Sequence, residues 1–142
     1  MTTLKQLIDH KGHAIFSVSP EAPVIDAVRI MAENHVGALL VMLGERLEGI
    51  ISERDYARKV VLKGRSSSDT PVRDIMTSPV VTAAPTASVN DAMRVMTEHR
   101  IRHLPVVAGQ QVLGVVSIGD LVKSVIDEQR HTIHDLETYI RG

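Results

Sequence analysis

Residues 15–61 recur as residues 80–126 at a constant offset of 65 with no gap. Of the 47 aligned pairs, 15 are identical, so the two stretches share one local fold. Pro20 meets Pro85, Val24 meets Val89, Met31 meets Met96, Gly49 meets Gly114, Ser52 meets Ser117 and Asp55 meets Asp120. A solenoid needs at least about three stacked repeats. Two copies must therefore bury their apolar faces against each other, around a pseudo-two-fold axis. Any site in one copy then has a counterpart in the other. A polar Gly/Ser loop, Lys63 to Asp69, separates the copies and predicts two halves, 1–69 and 70–142.

Each copy reads strand, helix, strand, strand, helix, a mixed α/β (α+β) pattern. Short apolar stretches open the copies at Ala14 to Val18 and Val80 to Ala83. Val24, Ala27, Val28 and Met31 fall at i, i+3, i+4 and i+7, and Val89, Ala92, Met93 and Met96 repeat that helical stripe. Ser88 and Asp91 read as a capping box, whereas the first copy has Pro23 there and needs another cap. Strands are expected at Ala38 to Met42 and Leu47 to Ile51, and at Leu104 to Val107 and Val112 to Val116, joined by Gly-containing hairpins. Pro105 implies an edge or an interrupted ladder. Closing helices are expected over Glu53 to Leu62 and from Gly119 to about Arg130. Thr70-Pro71 reads as a cap and first turn for a short helix over Val72 to Met76, with Leu4 to Ile8 as its counterpart. Ile133, Leu136 and Ile140 form a narrow stripe that suits a partner or the chain's own core.

Both copies close on Gly-x-x-Ser-x-x-Asp, at Gly49-Ser52-Asp55 and Gly114-Ser117-Asp120. Ser-x-x-Asp at a helix start is a capping box and needs no ligand. The same turn offers free N–H groups and the positive end of a helix dipole to an anion. Its Asp can accept hydrogen bonds from vicinal hydroxyls. Phosphate plus ribose is a nucleotide. Nearby, Arg54, Arg58, Lys59, Lys63 and Arg65 crowd twelve residues. They form either a solvated face or a phosphate clamp in which Arg54 and Arg65 hold an anion.

Composition removes several classes. A formal net charge of −1 gives no field for nucleic acid or anionic membrane. The only aromatics are Phe16, Tyr56 and Tyr139, so no stacking platform for single strands is available. There is no Cys, hence no thiolate nucleophile or cysteine metal site. The longest apolar run, Ala38 to Leu43, is far short of the roughly 20 residues of a membrane helix. No signal peptide is read in the first residues, and a soluble, cytoplasmic chain is expected. No nucleophile elbow, P-loop or dinucleotide fingerprint is present, so no enzyme is predicted. His131, His134, Asp135 and Glu128 are read as surface residues rather than a zinc site.

The Ile101-Arg102-His103-Leu104-Pro105-Val106 strand, the Gly-x-x-Ser-x-x-Asp endings and the Val72-Arg73-Asp74-Ile75-Met76-Thr77 lead-in together resemble a tandem pair of CBS domains, a Bateman module. The resemblance covers nearly the whole chain. It implies two CBS units packed through their sheets into a disc, a homodimer of such discs, and two clefts for adenosine compounds. By that resemblance Ser117 and Asp120 serve one cleft with Thr82, Ala84, Arg102, His103, Pro105 and Gly119 nearby. Ser52 and Asp55 serve the other, with Ser17 and Ser19 in the places of Thr82 and Ala84, and Arg54 and Arg65 as candidate phosphate ligands. The basic run favours AMP or NAD, with ADP or ATP as alternatives, over cationic S-adenosylmethionine. A stand-alone energy sensor acting on an unidentified regulated protein is implied. A structural module with unoccupied clefts is the competing reading. Arg54 faces Gly119, Arg102 faces Gly37 and Pro105 faces Leu40 across the repeat, so the two sites are expected to differ.

Overall fold

The computed structural model describes residues 2–141; Met1 and Gly142, the outer limits of the two sequence halves, lie outside them. The chain forms two compact units that cross the boundary between the halves. One, the Asp55 unit, comprises Ala14–Val81 with Gly109–Val112. The other, the Asp120 unit, comprises the residues up to His13, Thr82–Ala108 and the residues from Leu113 onward. The segment before the first copy therefore belongs with the second copy.

In the Asp55 unit, β1 (Ser17–Val18) runs parallel to β2 (Ala38–Leu43), and β2 pairs antiparallel with β3 (Arg46–Ser52). The β2–β3 turn uses Gly44 at φ 63°, a left-handed conformation that glycine adopts without strain. Helix α2 (Val24–Asn34) lays Val24, Ala27 and Met31 into a core with Val18, Leu39, Val41, Ile51, Val60, Val72 and Ile75. A fully buried Val or Met contributes roughly 1.5–3 kcal/mol, against typically about 1 kcal/mol for a cap, so the stripe decides where the helix lies. Pro23 has no capping side chain; the Val24 amide instead donates to the Thr70 carbonyl. Thr70 is not a helix cap: its hydroxyl donates to the Ser66 carbonyl, and only a 3-10 turn, Val72–Asp74, follows. The closing helix also departs from expectation. α3 (Glu53–Tyr56) is one turn long, and Ala57–Val61 continue as a wider π-helical coil.

In the Asp120 unit, α4 (Val89–His99) buries Val89, Ala92 and Met96, and β4 (His103–Ala108) lies beside β5 (Gln111–Ser117). The expected opening strand at Val80 to Ala83 shrinks to one parallel bridge, Ala83 with Val106. Pro105 lies in β4 and lacks a ladder N–H, although its carbonyl accepts from the Ala83 amide. Ser88 caps α4 by accepting from the Asp91 amide at 3.0 Å, but the reciprocal half of the box is absent. Asp91 is bonded to Arg94 instead, and Ser88 is bridged to Thr3. The last helix, α5 (Ile118–Arg141), is continuous over 24 residues rather than ending near Arg130.

Both units use a lead-in segment in the same way. In the Asp120 unit it is α1 (Leu4–Lys11), started by a Thr3–Gln6 capping box. Leu4 donates to the Ala87 carbonyl, Lys5 to Pro85, and Val89 to Thr2. In the Asp55 unit Val72 donates to Ala22, Arg73 to Pro20, and Val24 to Thr70. The lead-ins thus correspond at an offset of 68, three more than the repeat. Each presses on the glycine of the closing motif. A Cβ on Gly49 would sit 2.6 Å from the Met76 sulfur and 3.1 Å from the Thr77 carbonyl oxygen; one on Gly114 would sit 3.2 Å from Ile8 side-chain carbons. The Thr77 carbonyl cannot yield, because the Thr77 and Ile50 amides and carbonyls exchange hydrogen bonds. Gly49→Ala is expected to cost about 1–3 kcal/mol and Gly114→Ala clearly less, since only the flexible Ile8 side chain must move. Urea unfolding of the two variants measures the difference; equal losses contradict this packing.

Candidate functional site

Strand β3 ends at Ser52 and strand β5 at Ser117, and a helix starts at the next residue in each case. The first helical amide is fixed identically in both units: Glu53 donates to the Gly37 carbonyl, Ile118 to the Arg102 carbonyl. Ser52 Oγ accepts from the Asp55 amide at 3.2 Å while Asp55 Oδ2 accepts from the Ser52 amide at 3.0 Å. Ser117 Oγ accepts from the Asp120 amide at 3.1 Å while Asp120 Oδ2 accepts from the Ser117 amide at 2.8 Å. Both capping boxes are therefore formed, which accounts for why each turn holds its shape.

The two carboxylates differ in what else they hold. Asp55 is 12% exposed, and bonds reach both of its oxygens. Oδ2 also accepts from the Ser52 hydroxyl at 3.1 Å; Oδ1 takes the Thr77 hydroxyl at 3.3 Å and the Lys59 ammonium at 3.1 Å. Lys59 is anchored further by the Ile75 carbonyl at 2.9 Å. Asp120 is 27% exposed, and its partners converge on one oxygen. Oδ2 takes the Ser117 amide and, at 2.5 Å, the ammonium of Lys11 from α1. Lys11 also donates to the Val115 carbonyl at 2.8 Å. These bonds leave Oδ1 out. Beside Asp120, Gly119 has only the Ser117 hydroxyl, at 3.6 Å, near where a Cβ would stand. The corresponding position in the Asp55 unit carries Arg54.

Burial of the Asp120 carboxyl works against ionisation, but the Lys11 and Ser117 hydrogen bonds and the Lys11 charge outweigh it and hold its pKa below the usual 3.8. A depressed carboxyl stabilises the fold fully above its unfolded value and loses that contribution as pH falls through the folded value.

The other expected site residues are placed as follows. Thr82 and Ala84 flank Ala83, which bonds β4 at Pro105 and Val107, so these residues meet in one unit. Arg102 is exposed and reaches the start of α5 through its carbonyl; His103 opens β4. Ser17 pairs with Leu40 in the sheet, and Ser19 Oγ accepts from the Glu21 amide at 3.3 Å. Arg65 is held by Asp74 at 2.9 Å, so two cations of the basic run, Lys59 and Arg65, already have carboxylate partners in their own unit. The Asp55 unit also carries an open groove of about 450 Å³ between the end of α2 and the start of α3, lined by Met31, His35, Val36, Glu53 and Tyr56 among others. The lysines on the carboxylates, and Thr77, are contacts that sequence reasoning did not assign. The Asp55–Lys59 spacing of four carries a legible signal. Nothing local links Lys11 to Asp120, 109 residues away.

The CBS-domain family profile matches residues 8–62 and 72–127. The chain belongs to the CBS-domain family. It is 42% identical to the mitochondrial CBS domain-containing protein CBSX3 of Arabidopsis thaliana, over 99% of this chain and 73% of that protein. A CBS-domain structure from Burkholderia ambifaria MC40-6 superposes with a TM-score of 0.86 at 50% identity, covering 90% of this chain and 96% of that one. The CBS domain protein PAE2072 of Pyrobaculum aerophilum, solved in complex with AMP, gives 0.75 at 28% identity, covering 84% and 89%. The tandem CBS organisation and the mixed α/β fold read from the repeat are thereby established. Among the described residues no helix is long and apolar enough to cross a membrane, and no cluster of His, Asp or Glu is built for a metal ion.

Lys11→Met is expected to raise the Asp120 pKa and to weaken the acid limb of stability that begins below pH 3.8. Carboxyl chemical shifts followed against pH read this directly. An Asp120 titration unchanged by the substitution contradicts the ion pair.

Proposed function

We propose that this CBS pair is a regulatory adenine-nucleotide sensor whose principal receptor is the Asp120 turn. The observation that carries the proposal is the one-sided bonding of Asp120: Ser117 and Lys11 both hold Oδ2, and the preceding residue, Gly119, adds no side chain at the start of α5. A carboxylate oriented in this way can accept a ribose hydroxyl without losing its capping bonds. Arg102, exposed at the same helix start, supplies positive charge for a phosphate. The Thr82–Ala84 segment and Pro105 offer backbone to an adenine edge. AMP is the first choice, NAD the second, with ADP and ATP as alternatives. S-adenosylmethionine is disfavoured because its sulfonium would face Lys11 and Arg102. The AMP complex of the Pyrobaculum aerophilum relative supports the ligand class. The proposed role is a non-catalytic signal to a partner protein, in the cytoplasm.

The Asp55 turn favours a different reading. With both carboxylate oxygens bonded inside the unit, it acts as a structural cap, and a ligand there must first displace Lys59 or Thr77. Ser52, Ser17, Ser19, Arg54 and Arg65 then contribute a second, weaker site.

Calorimetric titration with AMP, NAD, ATP and S-adenosylmethionine tests both readings. AMP or NAD is expected to bind near one per chain and, at a hundredfold excess over Kd, to stabilise the fold by about 2.7 kcal/mol. Asp120→Ala should abolish this binding and cost the fold about 1 kcal/mol from the lost cap, with a further loss from the broken Lys11 pair. Absence of heat and of a melting shift with all four compounds at millimolar concentration sinks the sensor reading. Loss of binding in Asp55→Ala but not in Asp120→Ala reverses the assignment of the sites.

A further inference from the structure

Lys11 ends α1 and is held against the Asp120 turn. The Gly12 amide behind it closes the helix on the Ile8 carbonyl at 2.7 Å, and His13 Nδ1 lies 3.3 Å from the Leu113 carbonyl. Two residues further along β5, the Val115 carbonyl takes the Lys11 ammonium at 2.8 Å. An ammonium has three donors. Val115 and Asp120 Oδ2 use two of them, and nothing among the described residues takes the third. The Lys11 side chain is 37% exposed, so solvent reaches it. Asp120 Oδ1 likewise has no partner among the described residues. One ion pair therefore offers both a free acceptor and a free donor. The Asp55 turn offers no such combination: Lys59 has a donor to spare, but both Asp55 oxygens are bonded.

We propose, resting on the nucleotide reading of that turn, that Lys11 is its specificity-determining residue and selects adenine nucleotides whose ribose carries a phosphate monoester on O2′ or O3′. A vicinal diol can donate from one hydroxyl to Oδ1 and accept from Lys11 with the other. The two hydroxyls are then not equivalent. Esterifying the first removes the donor that Oδ1 needs. Esterifying the second replaces a neutral acceptor with an anionic one, and charge-assisted bonds are roughly twice as strong as neutral ones. A carboxylate without a counter-charge repels such a phosphate; the Lys11 ammonium cancels that repulsion. Dinucleotide sites follow the same chemistry, with an acidic residue for a ribose hydroxyl and a nearby cation for a ribose phosphate. In this chain one ion pair joins the two groups.

Calorimetric titration of the full chain compares AMP with the two adenosine bisphosphates whose second phosphate is on O2′ or on O3′. One isomer, not both, is expected to bind about tenfold tighter than AMP. Lys11→Met should reverse that order and leave the same isomer weaker than AMP, because the Asp120 charge then faces the phosphate alone. Lys11→Arg keeps the charge and should keep the preference. A lysine that merely holds Asp120 in place predicts a different result, in which Lys11→Met lowers all three affinities by one factor. Circular dichroism monitors folding, and Lys11→Gln, which also removes the charge, repeats the test should Lys11→Met fail to fold. The proposal is overturned if AMP binds but neither isomer gains on it, if both isomers gain alike, or if the loss in Lys11→Met is uniform. Failure of AMP and both bisphosphates to bind overturns the nucleotide reading along with it.

Discussion

Each unit depends on one carboxylate folded back on the end of a strand. Asp55 and Asp120 sit three residues into a helix, yet their oxygens accept from the serine amide that ends the preceding strand. That bond joins strand to helix at a fixed angle. The same carboxylate then reaches a third element, the lead-in, through Thr77 in one unit and Lys11 in the other. The glycine three residues before each serine is the complementary constraint. It removes the side chain that would keep the lead-in away, most severely at Gly49. A single residue type at N3 of a helix therefore ties three segments together.

Duplication makes one scaffold, and departures from symmetry decide its chemistry. Where the first copy has Arg54, the second has Gly119, and space opens at the helix start. Where Asp55 is served by a lysine one helical turn along its own helix, Asp120 is served by a lysine from the chain's first helix. The consequence is a closed carboxylate in one unit and a carboxylate with one oxygen outside its bonds in the other. The capping bond and the lysine pair of Asp120 share Oδ2, whereas the internal bonds of Asp55 occupy both oxygens.

The repeat, the two apolar stripes and the closing motifs were legible because they rest on local spacing. Val24, Ala27 and Met31, like Val89, Ala92 and Met96, are buried as a helical period requires. What sequence spacing did not carry was long-range exchange. The first helix belongs with the second copy because Leu4 and Lys5 bond to Ala87 and Pro85, and no local pattern encodes that choice. The short opening strand at Val80 to Ala83 failed because only Ala83 finds a ladder partner. The π-helical coil after Tyr56 and the full length of α5 were missed for a related reason. An α period accommodates both the observed and the expected ends equally well.

The two carboxylate turns are unequal in their internal bonding. The measurement that bears on this inequality most directly is an AMP titration of the isotope-labelled chain followed by amide resonances. Ser117, Gly119 and Asp120 should shift at lower AMP concentration than Ser52, Arg54 and Asp55. A first response at the Asp55 turn, or matched responses at both, contradicts the account.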